Sequence, residues 1–266
     1  MNHKMPMLQV LNTRPLPQGK VLADKLNLAG YHAIYQPLFE LQGNTSYTEI
    51  AQLLRMSEAK IFIFVSVAAV EFAHQEMALT TWETVQKVTF IAVGQTTKAA
   101  LLNCGIKNVV TPVQESSEGL LTLNELTLVA DQAIIIVRGD PGRELLAEQL
   151  NERQAIVHYL SSYKKNWQPI IGNELAAQWQ KKTITCIVVT SVALLENTIK
   201  LLTSCVDKNV QQFNFYWLVA SQRIAVTAQQ LNIKNIIITD GASDSAILSA
   251  ITDLEKQLVG RNDDNE

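Results

Sequence analysis

The residues best suited to chemistry in this chain are arginines and hydroxyls placed where short β-branched runs give way to helical patterns. Arg14 precedes Pro15, which favours an extended backbone at Arg14. Arg138-Gly139-Asp140-Pro141-Gly142-Arg143 follows the apolar run at 133–137 and turns tightly into an amphipathic stretch. Ser66 and the pair Thr190-Ser191 close two further apolar runs just ahead of helical patterns, and Gly94-Gln95-Thr96-Thr97 closes another. Arginine grips a carboxylate in bidentate fashion, and the unpaired N–H groups of a helix start attract anions. Together these residues suit a substrate that carries several carboxylates. Singly, each has a plainer reading. A serine before a helix is most often only an N-cap, and an arginine at a strand end often forms a surface ion pair. Tyr163, in a polar stretch, is by itself an ordinary amphipathic tyrosine.

Other chemistries find no support. No GxGxxG or P-loop follows a strand. His3, His32, His74 and His158 lack metal-ligand spacing and form no Ser/His/Asp arrangement. Cys104, Cys186 and Cys205 are odd in number, lack metal-like spacing and read as reduced thiols. The reading is therefore of a protein with no cofactor and no metal. A net charge of −3 provides no global basic field, so neither nucleic acid nor an anionic membrane is expected as a partner. No apolar run approaches membrane-spanning length, and residues 1–6 lack a signal-peptide core, so a cytoplasmic location is expected.

The elements that must position these residues alternate. Strands are expected at 8–12, 60–65, 89–93, 109–111, 133–137, 185–190, 217–220 and 235–239. Helices are expected at 20–29, 67–76, 96–103, 144–152 and 223–231. Near-continuous apolar strands such as 133–137 (AIIIV) call for a parallel sheet covered on both faces. The chain also repeats itself. VLADKLN at 21–27 parallels LLAEQLN at 145–151, Ser66-Val67-Ala68 parallels Ser191-Val192-Ala193, and Ile106-Lys107-Asn108 parallels Ile233-Lys234-Asn235, at offsets of 124, 125 and 127. Repeats this long indicate duplicated α/β domains rather than a solenoid. The repeat alone would put a boundary near 125. The segments at 36–44 and 158–168 look more like crossings, which would exchange the first βα unit of each copy. The residues themselves leave both divisions open.

In order, these motifs resemble the uroporphyrinogen-III synthase family, close to its proteobacterial members. The resemblance rests on Thr13-Arg14-Pro15, on Val65-Ser66-Val67-Ala68-Ala69-Val70, on Val93-Gly94-Gln95-Thr96-Thr97 and on SSEGLL at 116–121. It continues with Arg138-Gly139 through Gly142-Arg143-Glu144-Leu145-Leu146, Tyr163 and Thr190-Ser191, and covers roughly residues 8–252. It implies two flavodoxin-like, parallel-sheet α/β domains joined by a two-stranded linker, with the active site in the cleft between them. Residues 1–37 with 165–266 would form the first domain and 43–158 the second, with linkers at 38–42 and 159–164. Two departures stand out. Val65 takes the place of the threonine common before Ser66, and the second copy of VGxxT, Ala220-Ser221-Gln222-Arg223-Ile224, lacks both the glycine and the final threonine.

The resemblance also implies a substrate, hydroxymethylbilane, a linear tetrapyrrole with acetate and propionate side chains, and its cyclisation to uroporphyrinogen III in haem biosynthesis. Loss of the terminal hydroxyl gives an electrophilic azafulvene. The substituted carbon of the far ring attacks it, and a spiro intermediate fragments and recloses with ring D inverted. Tyr163 is the residue expected to assist departure of the hydroxyl. Arg14, Ser66, Thr97, Arg138, Arg143 and Ser191 are expected to hold carboxylates. The enzyme is expected to be a monomer, with transient contacts to the preceding and following pathway enzymes. A non-catalytic tetrapyrrole binder or regulator of the same fold is the rival. Such a regulator would usually append a helix-turn-helix or receiver domain, for which no segment here is long enough.

Overall fold

The computed structural model describes residues 8–82, 88–140, 142, 144–169, 174, 178–179, 182, 184–203 and 215–263. Arg143 and Cys205, both singled out above, lie outside the described residues. The chain divides into two compact units. Unit 1 is Met1–Glu40 with Trp167–Glu266, and unit 2 is Leu41–Asn166.

In unit 1, β1 (Gln9–Asn12), α1 (Gln18–Leu28) and β2 (His32–Tyr35) join β9 (Cys186–Val189), α7 (Val192–Thr203), β10 (Tyr216–Val219), α8 (Gln222–Gln230), β11 (Ile236–Ile238) and α9 (Asp244–Asp263). The sheet order is β2-β1-β9-β10-β11, with every pairing parallel. Its core includes Val10, Leu22, Leu26, Val188, Leu218, Ile247 and Ile251, contributed by strands and by helices from both ends of the chain.

Unit 2 begins within β3 (Phe39–Gly43) and continues through α2 (Tyr47–Ser57), β4 (Ile61–Phe64), α3 (Val67–Glu76), β5 (Thr89–Ala92), α4 (Gln95–Asn103) and β6 (Val109–Val110). It then runs through α5 (Ser117–Leu120), β7 (Ala133–Asp140), α6 (Leu145–Glu152) and β8 (Ile156–Trp167). The order is β3-β8-β7-β4-β5-β6. All four residues of β4 are buried, as a central strand covered on both faces requires. Phe62 and Phe64 each stack on Phe90 in the core of this unit.

The strand registers make the duplication explicit. Gln9 faces His32 in β1/β2, and Ala133 faces Ile156 in β7/β8, each 124 residues further on. Val10 faces Cys186, as Ile134 faces Ile61. Trp217 faces Ile236, as Phe90 faces Val109, 127 residues apart in both members. These displacements equal those of the sequence repeat. Each sheet therefore combines the first βαβ unit of one copy with the remaining strands of the other: β1 lies beside β9 and not beside β4. Written as β8-β7-β4-β5-β6, five strands of unit 2 repeat the order of unit 1, which is the flavodoxin-like order.

The segment 159–164 differs from the expected linker. It is the middle of twelve-residue β8, paired with β7 as far as Lys164. β3 lies on its other side, where Asn44 N–H bonds to Ser162 C=O. His158, Lys164, Lys165 and Asn166 give β8 its polar composition, but backbone pairing needs no apolar side chain, and only alternate positions turn inward. No helix among the described residues is long and apolar enough to cross a membrane.

Candidate functional site

In an open parallel sheet, ligands bind beyond the carboxyl ends of the strands, where neighbouring strands connect in opposite directions. In unit 2 that point lies between β4 and β7. A cleft of 580 Å³ opens there, lined among others by Ser66, Glu115, Ser116, Arg138, Gly139, Tyr163 and Lys165. The corresponding point in unit 1 lies between β1, which leads to Arg14, and β9, which leads to Ser191.

Three contacts hold Tyr163. Its hydroxyl lies 3.2 Å from Ser66 Oγ, and its ring stacks on Phe72 at 5.7 Å between centroids. Its other neighbour is Gly139, where a Cβ would come within 2.5 Å of Tyr163 Cζ. Only glycine permits this approach. A bulge sets the position. Arg138 pairs with Ser161 and Gly139 with Tyr163, which leaves Ser162 as the extra residue on β8. Ser162 turns inward, fully buried, and its single hydroxyl proton is shared between the carbonyls of Ala69 and Arg138, at 3.2 and 3.4 Å. Ser66 in turn caps α3 by accepting the Ala69 N–H at 3.1 Å.

Arg138 is 8% exposed and runs beside Gly142, where a Cβ would meet Arg138 Cδ at 2.8 Å. Its guanidinium lies 3.6 Å above the Tyr159 ring and donates from Nη2 to Glu144 Oε1 at 2.9 Å. The Tyr159 hydroxyl donates to the other oxygen of the same carboxylate. Hydrogen bonds from Tyr159 and then Arg138 hold the Glu144 carboxyl below its usual pKa. Burial, reinforced by Glu144, pushes the Tyr159 phenol up to about 12. Arg138 thus has a resident carboxylate partner, and its ion pair is the plainer reading of an arginine at this strand end. Desolvation lowers the pKa of Lys165.

The start of α4 has a resident carboxylate as well. Gly94, its N-cap, offers no side chain, and Gln95 N–H donates to Glu115 Oε1 at 3.0 Å. A Cβ on Gly94 would stand 2.3 Å from Glu115 Oε2. Thr97 is buried in the first turn of α4 and is not part of the cleft lining. Its counterpart Ile224 is also buried, and there Ser221 supplies the cap by accepting Ile224 N–H at 3.4 Å.

In unit 1, Arg14 is 8% exposed and donates to Asp244 at 2.8 Å, and Lys25 reaches the other oxygen at the same distance. Burial raises the Asp244 pKa, but the bonds from Lys25 and Arg14 outweigh it and leave the carboxyl below its usual value. Ser191 accepts Leu194 N–H at 3.2 Å, so it caps α7 as Ser66 caps α3. Tyr35 ends β2, and its hydroxyl is buried with no hydrogen-bond partner among the described residues. Such a group costs about 1–3 kcal/mol when left unpaired.

Of the residues expected from sequence, Ser66, Arg138 and Tyr163 share the cleft of unit 2, while Arg14 and Ser191 flank the equivalent point of unit 1. Glu115 and Lys165 also line the cleft, and no sequence motif singles them out. Lys165 stands two residues from Tyr163 on the same face of β8, a signal available once that segment is read as strand. Glu115 directly precedes the Ser116 cap, and nothing in its spacing points to Gly94.

A family model described as "Uroporphyrinogen-III synthase HemD" matches residues 20–249. The uroporphyrinogen-III synthase of Escherichia coli (strain K12) is 31% identical over 252 residues, which is 92% of this chain and 100% of the relative. That of Salmonella typhimurium (strain LT2) is 31% identical over 254 residues, with the same coverage. Among solved structures, a mutant uroporphyrinogen III synthase from the extremely thermophilic bacterium Thermus thermophilus aligns with a TM-score of 0.64 at 15% identity, covering 94% of this chain and 99% of that one. The Helicobacter pylori 26695 enzyme aligns at 0.60 and 14%, covering 95% and 100%. At such identities these two speak for the fold, whereas the family match and the enterobacterial relatives extend over nearly the whole sequence: the chain belongs to the uroporphyrinogen-III synthase family.

Proposed function

We propose that the cleft of unit 2 is where this family member assists conversion of hydroxymethylbilane to uroporphyrinogen III, with Tyr163 as proton donor. The observation that carries the proposal is the confinement of Tyr163 by Gly139, Phe72 and Ser66 at the rim of a cleft beyond the strand ends. A fixed phenol can give its proton to the departing hydroxyl, so that water leaves and the azafulvenium cation remains opposite the phenolate. Ser66 already accepts the Ala69 N–H, and its own proton remains available to the phenolic oxygen. The later steps make and break carbon–carbon bonds within the substrate, so the protein's contribution there is positioning and electrostatic stabilisation. Arg14, Ser66, Thr97, Arg138, Arg143 and Ser191 are proposed to hold substrate carboxylates. For Arg138 that means sharing or exchanging Glu144, and for Arg14 it means the same with Asp244. For Thr97 the contact is with the backbone at the start of α4, since its side chain is buried.

The test is incubation with enzymatically made hydroxymethylbilane, followed by separation of the type I and type III isomers. Type III product supports the reading. Exclusive type I product, the outcome of unassisted closure, overturns it.

A further inference from the structure

The two copies of the βαβ unit carry the same arginine and the same tyrosine but not the same charge between them. By strand register, Asn12 faces Tyr35 as Ile136 faces Tyr159, so the two tyrosines are equivalent. The same displacement of 124 residues relates Arg14 to Arg138 and Lys20 to Glu144. In unit 2 the Glu144 carboxylate accepts from both the Tyr159 hydroxyl and the Arg138 guanidinium. In unit 1 Lys20 stands at the Glu144 position, largely exposed and paired with Asp24 at 2.6 Å. Arg14 turns instead to Asp244, whose own counterpart, by the displacement of 127, is Ser117. The Tyr35 hydroxyl is left buried with no acceptor among the described residues. Glu40 is near enough to raise its pKa electrostatically, yet makes no hydrogen bond to it among the described residues.

We infer that Tyr35, next to the Arg14 backbone across Gly19, forms with Lys20 a carboxylate subsite in unit 1, in which one acetate or propionate of the substrate draws Lys20 from Asp24 and takes the place that Glu144 fills in unit 2. Three observations converge on it. The hydroxyl lacks an acceptor among the described residues, the duplicated unit shows that a carboxylate is the acceptor this geometry takes, and the residue that supplies it there has become a cation here. The position is also right, because Tyr35 is the last residue of β2 and Arg14 follows β1, at the carboxyl end of the sheet. The Tyr35 ring lies against Gly19, where a Cβ would come within 2.5 Å of Cε2. A ligand reaches the hydroxyl by a local shift at Gly19, which the exposed residues 16–18 directly precede. The proposal rests on the reading of the function given above.

The experiment compares wild type, Tyr35→Phe and Lys20→Glu by KM for hydroxymethylbilane, by Kd for uroporphyrin III in a direct fluorescence titration, and by melting temperature. Tyr35→Phe removes one hydroxyl and is expected to raise both constants about three- to tenfold, with the melting temperature unchanged or higher. Lys20→Glu installs the carboxylate that unit 2 already has. It is expected to raise both constants more than about tenfold with little net change in melting temperature, because the new carboxylate satisfies Tyr35 but replaces the Lys20–Asp24 pair with two like charges. Unchanged KM and Kd in both variants overturn the subsite, as does a lower melting temperature in Tyr35→Phe with both constants unchanged. If wild type yields only type I product, the proposed function fails, and the uroporphyrin III titration still decides the subsite.

Discussion

Tyr163 lies so close to Gly139, across the β7–β8 pair, that a methyl group on the glycine would stand 2.5 Å from one ring carbon and 2.6 Å from the next. The ring cannot retreat freely, since Phe72 stacks on it. Gly139→Ala is therefore expected to displace the tyrosine and destabilise the fold by about 1–3 kcal/mol, as overpacking does elsewhere. Turnover should fall more than the melting temperature alone explains. Wild-type turnover with wild-type stability would show that the ring position is irrelevant.

Tyr163→Phe keeps the ring, its stacking and its fit on Gly139, and removes only the hydroxyl. A lost general acid lowers turnover by roughly 10²–10⁴, whereas one lost neutral hydrogen bond of about 0.5–1.5 kcal/mol lowers it by roughly 2–13-fold. Substrate carboxyls or water can share the proton transfer, so the expected loss is about 10², with type III still the product. Undiminished turnover would remove Tyr163 from the mechanism, and a switch to type I would assign it control of which carbon attacks.

Ser66 and Ser191 are equivalent caps of α3 and α7, but among the described residues only Ser66 bonds to a tyrosine. Alanine at either position is expected to cost about 0.5–2 kcal/mol of stability. Ser66→Ala should also reduce turnover beyond the effect of Ser191→Ala. Equal kinetics in the two variants would mean that the Ser66–Tyr163 contact has no catalytic consequence.

From the sequence alone, Arg138→Ala should raise KM at least roughly tenfold with little effect on melting. The stacking of Arg138 on Tyr159, its ion pair with Glu144 and its 8% exposure add a structural cost. With the structure in hand, the variant is expected to lower the melting temperature by a few degrees, on the order of 1–2 kcal/mol, as well as raising KM. Calorimetry alongside kinetics separates the two effects.

The ion pairs of the two arginines set limits on pH. Glu144 and Asp244 have folded pKa values below their ordinary ones, so the stability they contribute is full above the unfolded values, about 4. That contribution is lost as pH falls through the lower folded values. Tyr159 is raised, so its contribution is full below about 10 and declines as pH rises towards 12. Thermal melts from about pH 3 to 11 should show both limbs. Glu144→Gln is expected to flatten each of them, and identical profiles in wild type and variant would refute the assignment.

Much of the fold is legible because its signals are local or periodic. The apolar runs mark eight of the strands, and displacements of 124, 125 and 127 foretell which registers match. The capping box that opens α2, Ser46 with Glu49, is an equally local signal, and Tyr47, Ile50, Leu53 and Leu54 follow it at helical spacing. β8 reads as a linker because its charged residues break the apolar pattern, although the strand pairs along most of its length. The site is less legible for a related reason. The contact of Tyr163 with Gly139 depends on a one-residue bulge, and no local pattern encodes which residue a strand skips. The partners of Arg14 and Arg138 lie 230 and 6 residues away, so equivalent arginines in equivalent loops give no warning that their acids differ.

The exchange of βαβ units between the two copies also dictates a timetable for synthesis. Unit 2 is contiguous and has all its strands once residue 166 has left the ribosome. β1, flanked in the finished sheet by β2 and β9, has only β2 beside it until β9 emerges, 151 residues after Tyr35. At ordinary elongation rates that delay is on the order of ten seconds or more. Through that interval the open edge of β1 and the apolar face of α1 must be shielded by something other than their own domain. Nascent-chain aggregation and chaperone demand therefore concentrate on the segment Met1–Glu40, although it ends up in the last unit to be completed.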